Sequence, residues 1–217
     1  MKENISIQSE VLLEIAEMKR IYSALESSLP KSGKVSLAVT SSVIGEGKTT
    51  IAAGLASLAA NNNPKKRVLA VDMNWYAPGL HKHFGLSLID AEKLKKGISL
   101  ESLIQKTAIE NLHVLTAVQT DAKAGGLNGA ENAVSGELLL KAREVYDMVF
   151  IDTSKVFPLN RKMIDPISVA KNADGTILVV LTNKTAKHSV KRTRFALEAA
   201  GANILGVIVN QWKNPLS

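Results

Sequence analysis

No cysteine occurs among the 217 residues, which excludes disulfides and thiolate-ligated metal sites. Aromatic residues are scarce at 4%, and none is interleaved with basic residues in the pattern that reads RNA. No apolar run approaches the length of a membrane span. The first residues, which include Glu3, Glu10 and Glu14, lack the apolar centre of a secretory leader. Repeats and low-complexity tracts are missing too, and the composition is not that of a disordered or fibrous chain. What is there is ordinary globular composition, 46% apolar and 22% charged, in a length that suits one sizeable α/β domain. The net charge of +7 admits nucleic acid, an anionic membrane surface or nucleotide phosphates as partners and does not choose among them.

The stretch Thr40-Ser41-Ser42-Val43-Ile44-Gly45-Glu46-Gly47-Lys48-Thr49-Thr50 follows a β-branched run, Val35 to Thr40, and opens an Ala-rich helical run, Ile51 to Ala60. Strand, glycine loop and helix in that order make a phosphate cradle. The glycines let N–H groups turn inward, and the helix start adds partial positive charge. Lys48 can reach the β- and γ-phosphates, and the Thr49 hydroxyl sits where a Mg²⁺ ligand belongs. Gly45, Glu46, Gly47, Lys48, Thr49 and Thr50 are therefore the candidate nucleotide-binding positions. The full Walker pattern has Gly where this chain has Ser42.

Two acids end apolar runs. Arg67 to Asp72 reads as a buried strand closing on Asp72, and Asp147 to Thr153 has the Walker B form, with Asp152 as the carboxylate that holds Mg²⁺ directly or through water. Ligands of parallel sheets bind outside the C-terminal strand ends, so Asp72 lies beside the phosphate loop if the strands are neighbours. Asp72 and Asp152 join Thr49 as metal candidates and Lys48 as catalytic ones. Further strands are expected at Leu112 to Val118, Gly175 to Leu181 and Ile204 to Val209, with helices at Gly136 to Tyr146 and Ala186 to Ala200. Polar helical stretches are expected up to Gln105, and an exposed mobile loop from Gln119 to Ser135. The alternation predicts a mostly parallel sheet flanked by helices in the three layers of a P-loop NTPase. Asn210, just past the last strand, is a candidate base contact and equally a turn former.

Ahead of this domain, taken as residues 34–217, Val11, Leu12, Ile15, Met18, Tyr22, Leu25 and Leu29 recur at helical spacing in a leading helix and linker, 1–33. Its apolar stripe can pack on the domain's own sheet, the favoured reading, or dock on a neighbouring subunit. Pro30 and Gly33 end it. His81 and His83 have no further His or Cys near them in sequence and read as surface or packing residues.

Thr40 to Thr50, Val68 to His83, Tyr146 to Thr153 and Asp174 to Asn210 together resemble the bacterial tyrosine autokinases of capsule and exopolysaccharide assembly (BY-kinases), relatives of the ParA/MinD ATPases. The loop resembles the kinase form, since Val43 stands where ParA/MinD loops carry an extra lysine. The resemblance implies Mg·ATP (or ADP) binding through Lys48, Thr49, Asp72 and Asp152, and an inner-membrane chain-length regulator of polysaccharide export as partner; the phosphate chemistry itself points to the cytoplasm, and homo- and hetero-oligomers are both open. Departures from the family's pattern bear on activity. The second acidic motif has two aspartates, whereas this chain has Asp72-Met73-Asn74, and an amide neither takes a proton nor neutralises a cation. Tyr76 and Ala77 replace two arginines, and Ala16 to Tyr22 keeps at best Lys19 of the Glu-x-x-Arg-x-x-Arg oligomerisation motif. The stretch Gln211 to Ser217 has no tyrosine; Tyr22, Tyr76 and Tyr146 are scattered. The expectation is a divergent member that binds nucleotide and phosphorylates tyrosine weakly or not at all. The rival expectation is a ParA/MinD-like positioning ATPase using DNA or membrane through Lys184, Lys187, Lys191, Arg192 and Arg194.

Overall fold

The computed structural model describes residues 13, 15–30, 33–94, 99–119, 131–158 and 163–211. Val11, Leu12, most of the loop expected from Gln119 to Ser135, and 212–217 of the C-terminal stretch lie outside the described residues. Seven strands form the main sheet: β1 (Val35–Ser41), β2 (Val68–Asp72), β4 (Gln105–Lys106), β5 (Leu112–Leu115), β7 (Met148–Lys155), β8 (Gly175–Leu181) and β9 (Ile204–Asn210). Their order is β4-β5-β2-β7-β1-β8-β9, parallel throughout except for β4, which runs antiparallel at one edge. A parallel sheet needs cover on both faces, and the central strands are apolar on both. On β7, Met148 and Phe150 enter one core while Val149 and Ile151 enter the other.

Helix α1 (Ala16–Ser28) and helix α2 (Lys48–Asn62) cover the first face. Small residues bury α2 almost all round, and it lies close under α1: a Cβ on Gly54 would stand 3.0 Å from the Met18 methyl. Met18, Tyr22 and Leu25 of α1 are buried in this core, so its apolar stripe rests on α2 within the same chain. The Tyr22 hydroxyl donates to Glu26 Oε1 (3.3 Å) and accepts from Asn63 Nδ2 (3.1 Å), tying the two helices together. The second face carries α5 (Glu131–Val145), α6 (Pro166–Asn172) and α7 (Lys187–Ala199), which contribute Leu138 and Ala142, Val169 and Ala170, and Leu197. The three layers expected from the alternation of strands and helices are present.

The short elements are too brief to show a period in the sequence. Among the described residues, a 3-10 turn (Ala91–Leu94) and α4 (Leu100–Leu103) stand where polar helical stretches were expected, preceded by α3 (Leu80–His83). β5 stops at Leu115 because the chain turns at buried Thr116, whose Oγ1 donates to the Ser87 carbonyl (2.8 Å). Val118 instead joins a separate two-stranded parallel sheet, β3 (Ile89–Asp90) with β6 (Val118–Gln119). Helix α5 starts at Glu131, five residues before the expected Gly136, because Gly136 sits inside a helix it only mildly weakens.

Candidate nucleotide-binding site

Strand β1 ends at Ser41, and α2 begins at Lys48; the loop between them bends at Gly45 (φ 79°) and Gly47 (φ 89°), both left-handed. A Cβ at Gly47 would lie 2.5 Å from Asn210 Nδ2, so close approach as well as conformation demands glycine there. Ser42 has no positive φ, which explains why the departure from the full Walker pattern is tolerated. The Lys48 ammonium is buried and donates to Ser41 Oγ (2.9 Å), which donates to the Val43 carbonyl (2.8 Å). Burial chiefly, with a smaller repulsion from the Lys155 charge, holds the Lys48 ammonium below its ordinary range.

The two acids meet. β2 and β7 are neighbours, with Asp72, the last residue of β2, in register with Asp152, three residues before the end of β7. Thr49 Oγ1 donates to Asp152 Oδ2 (2.7 Å), while Asp152 Oδ1 is buried without a partner. Asp72 is already well solvated by backbone: it accepts from the N–H groups of Asn74 (3.0 Å), Gly79 (3.1 Å) and Leu80 (3.0 Å). Burial, and then the negative charge of Asp72, push the Asp152 carboxyl up to about 8. Burial also raises Asp72, against the pull of its three N–H donors. Two buried carboxylates side by side, one with an orphaned oxygen, form a site that a divalent cation would relieve. Hard oxygen donors suit Mg²⁺, so the residues fit the ion: Thr49 and Asp152 would hold it, with Asp72 beside them. Among the described residues, no group of three or more His, Asp or Glu side chains could hold a metal ion, and His81 and His83 simply sit on α3.

The remaining candidates are placed less simply. The Glu46 side chain turns inward, fully buried. It accepts from the Val43 N–H (2.6 Å) and the Leu181 N–H (3.2 Å), and the Thr185 hydroxyl also donates to it. Its carboxylate thus straps the loop to the end of β8, where the following turn passes through Asn183 in a left-handed conformation (φ 62°). Asn210 Nδ2 donates to the Glu46 carbonyl (3.0 Å), so one of its N–H donors ties the last strand to the loop's backbone. Thr50 lines the cleft with Gly45, Gly47, Lys48 and Thr49. That cleft holds about 530 Å³ and is walled on its far side by Asn74, Tyr76 and Ala77 and by Ser154 and Lys155. Asn74 gives its side-chain amide to the Ala77 carbonyl (2.8 Å) and presents no acid. Tyr76 is 46% exposed at the cleft, whereas Tyr22 and Tyr146 are buried, the latter bonded to His113 Nδ1 (2.8 Å). Ser154 and Lys155 carry no motif signal in the sequence; simple strand alternation places Lys155 on the opposite face from Asp152.

A family model described as the CobQ/CobB/MinD/ParA nucleotide binding domain matches residues 37–217. The chain belongs to that family. Within it, the chain falls with the bacterial tyrosine kinases. It is 32% identical to the tyrosine-protein kinase YwqD of Bacillus subtilis over 81% of this chain and 71% of that protein. It is 30% identical to the putative tyrosine-protein kinase CapB of Staphylococcus aureus over 81% and 75%. Among solved structures, the chimerical protein CapA2B2 superposes with a TM-score of 0.75 at 28% identity, covering 94% of this chain and 91% of that one. Family membership supplies a general capacity for nucleotide binding. Among the described residues, no helix is long and apolar enough to cross a membrane.

Proposed function

We propose that this protein is a Mg·ATP-binding ATPase of the tyrosine-autokinase kind, with weakened tyrosine phosphorylation, serving capsule or exopolysaccharide assembly. The observation that carries the reading is the convergence of Lys48, Thr49, Asp72 and Asp152 beside a left-handed glycine loop, with Asn74 where a second acid would stand. Bound Mg²⁺ would supply charge neutralisation between the β- and γ-phosphates. Lys48 leaves Ser41 Oγ for the phosphates, the loop N–H groups cradle them, and Asp152 keeps Thr49 oriented through its hydroxyl hydrogen. The carboxylate that would take a proton from an acceptor hydroxyl is replaced by an amide already committed to Ala77, so transfer to tyrosine is slow. The loops at the strand ends, ordered on binding, present a nucleotide-dependent surface that a membrane chain-length regulator reads. Calorimetric titration with ATP and Mg²⁺, followed by phosphate-release and tyrosine-labelling assays, tests this. Tight binding with little tyrosine label is expected; no ATP binding, or strong labelling, overturns it.

A ParA/MinD-like use of DNA has weaker support. Of its five cations, Arg194 is paired with Glu198 (2.7 Å), Arg192 stacks 4.2 Å over the Phe157 ring and Lys184 lies over Gly45. Lys187 and Lys191 remain exposed on α7. One short helix with a handful of exposed cations releases few counterions, so salt-sensitive ATP-dependent DNA binding is expected to be absent at moderate salt.

A further inference from the structure

Strands β1 and β7 pair in register from Val35 with Met148 to Val39 with Asp152, but Ser41 then faces Lys155 rather than Ser154. One extra residue has entered β7 at Thr153–Ser154, which is a β-bulge. Its hydrogen bonds are made good by side chains and by the next residue. Thr153 Oγ1 donates to the Val39 carbonyl (2.9 Å), Thr40 Oγ1 donates to the Ser154 carbonyl (3.1 Å), and the Val156 N–H donates to the Ser41 carbonyl (2.9 Å). Side chains alternate along a strand, so without the bulge Lys155 would point to the opposite face from Asp152. The added residue resets the alternation and turns Lys155 to the face that carries Asp152, beside Ser41, the residue that holds Lys48.

We infer that Lys155 is a second phosphate-directed cation, reaching the terminal phosphate of a bound nucleoside triphosphate. This rests on the nucleotide-binding reading of the same cleft and goes beyond it by naming the residue that tells triphosphate from diphosphate. Lys155 lines the cleft together with Lys48 and Thr49. It forms no ion pair among the described residues, so its ammonium is available. Thr49 and Asp152, which would hold the metal, mark the end of the cleft where the charge of the terminal phosphate would be met. Lys155 stands at that end, three residues beyond Asp152 on the same strand. An ammonium there balances charge that accumulates on the γ-phosphoryl oxygens and is lost when only ADP is bound.

Calorimetry with Mg·ADP and with Mg·ATP on wild type, Lys155→Gln, Lys155→Arg and Lys48→Ala tests the assignment. Lys155→Gln is expected to keep ADP affinity within about twofold and to lose about ten- to a hundredfold in ATP affinity, the range for a charge-assisted phosphate contact. Lys155→Arg, which keeps the charge, recovers most of the ATP affinity. Equal losses for ADP and ATP, or no loss for either, overturn the assignment while leaving nucleotide binding intact. Wild type that binds neither nucleotide, with Lys48→Ala unchanged from it, overturns the parent reading instead.

Discussion

Replacing Asp152 by asparagine is expected to stabilise the nucleotide-free protein and to abolish its metal-dependent response. Asp152 is fully buried, abuts Asp72 across the strand pair, and has one oxygen bonded to Thr49 and the other unpartnered. Its carboxyl titrates at about 8 in the folded chain against 3.8 when unconstrained. Between those values the native state holds a proton that the unfolded chain has released, so stability falls as pH rises through this window and the loss is complete only above the folded value. Each pH unit costs about 1.4 kcal/mol, and at pH 7 the loss is on the order of 4 kcal/mol, an upper figure because Asp72 shares it. The substituted amide would keep an acceptor for the Thr49 hydroxyl and never ionise. Urea unfolding without metal or nucleotide should give similar stabilities for wild type and Asp152→Asn near pH 4. By pH 8 the variant should lead by a few kcal/mol. Adding Mg·ATP should raise the wild-type midpoint and leave the variant where it was. Parallel pH profiles, or a variant less stable at pH 8, would refute the claim that the paired acids are a strained, cation-seeking site.

Other side chains make separate predictions. Glu46→Gln removes the charge that collects the Val43, Leu181 and Thr185 donors, and should cost about 1–3 kcal/mol in urea unfolding together with a several-fold weaker nucleotide affinity. Unchanged affinity would show that the loop holds its shape without the strap. Tyr22→Phe deletes the hydroxyl between Glu26 and Asn63 while keeping the ring buried, so a loss of about 1 kcal/mol is expected with nucleotide binding untouched. Asn74→Asp restores a carboxylate at the cleft and should speed phosphate release and tyrosine labelling, while lowering stability by about 1 kcal/mol through loss of the bond to the Ala77 carbonyl. No gain in either assay would mean that the missing acid is not what limits transfer.

Much of this protein was legible in its residue order because the relevant signals are local. Glycines at 45 and 47 between a β-branched run and an alanine-rich one dictate a strand, a left-handed bend and a helix start, whatever surrounds them. Apolar runs closing on Asp72 and Asp152 likewise mark buried strands that deliver an acid to the sheet's ligand edge. Tertiary structure alone decided which strands are neighbours, and hence that those two carboxylates share one burial and one repulsion. It also turned the Glu46 carboxylate inward to collect N–H groups from two chain segments, bonded Asn210 to the loop's backbone, and re-aimed Lys155 through one extra residue in β7. These outcomes depend on hydrogen-bond partners far apart in the chain and on the register of pairing, for which a single strand carries no local code.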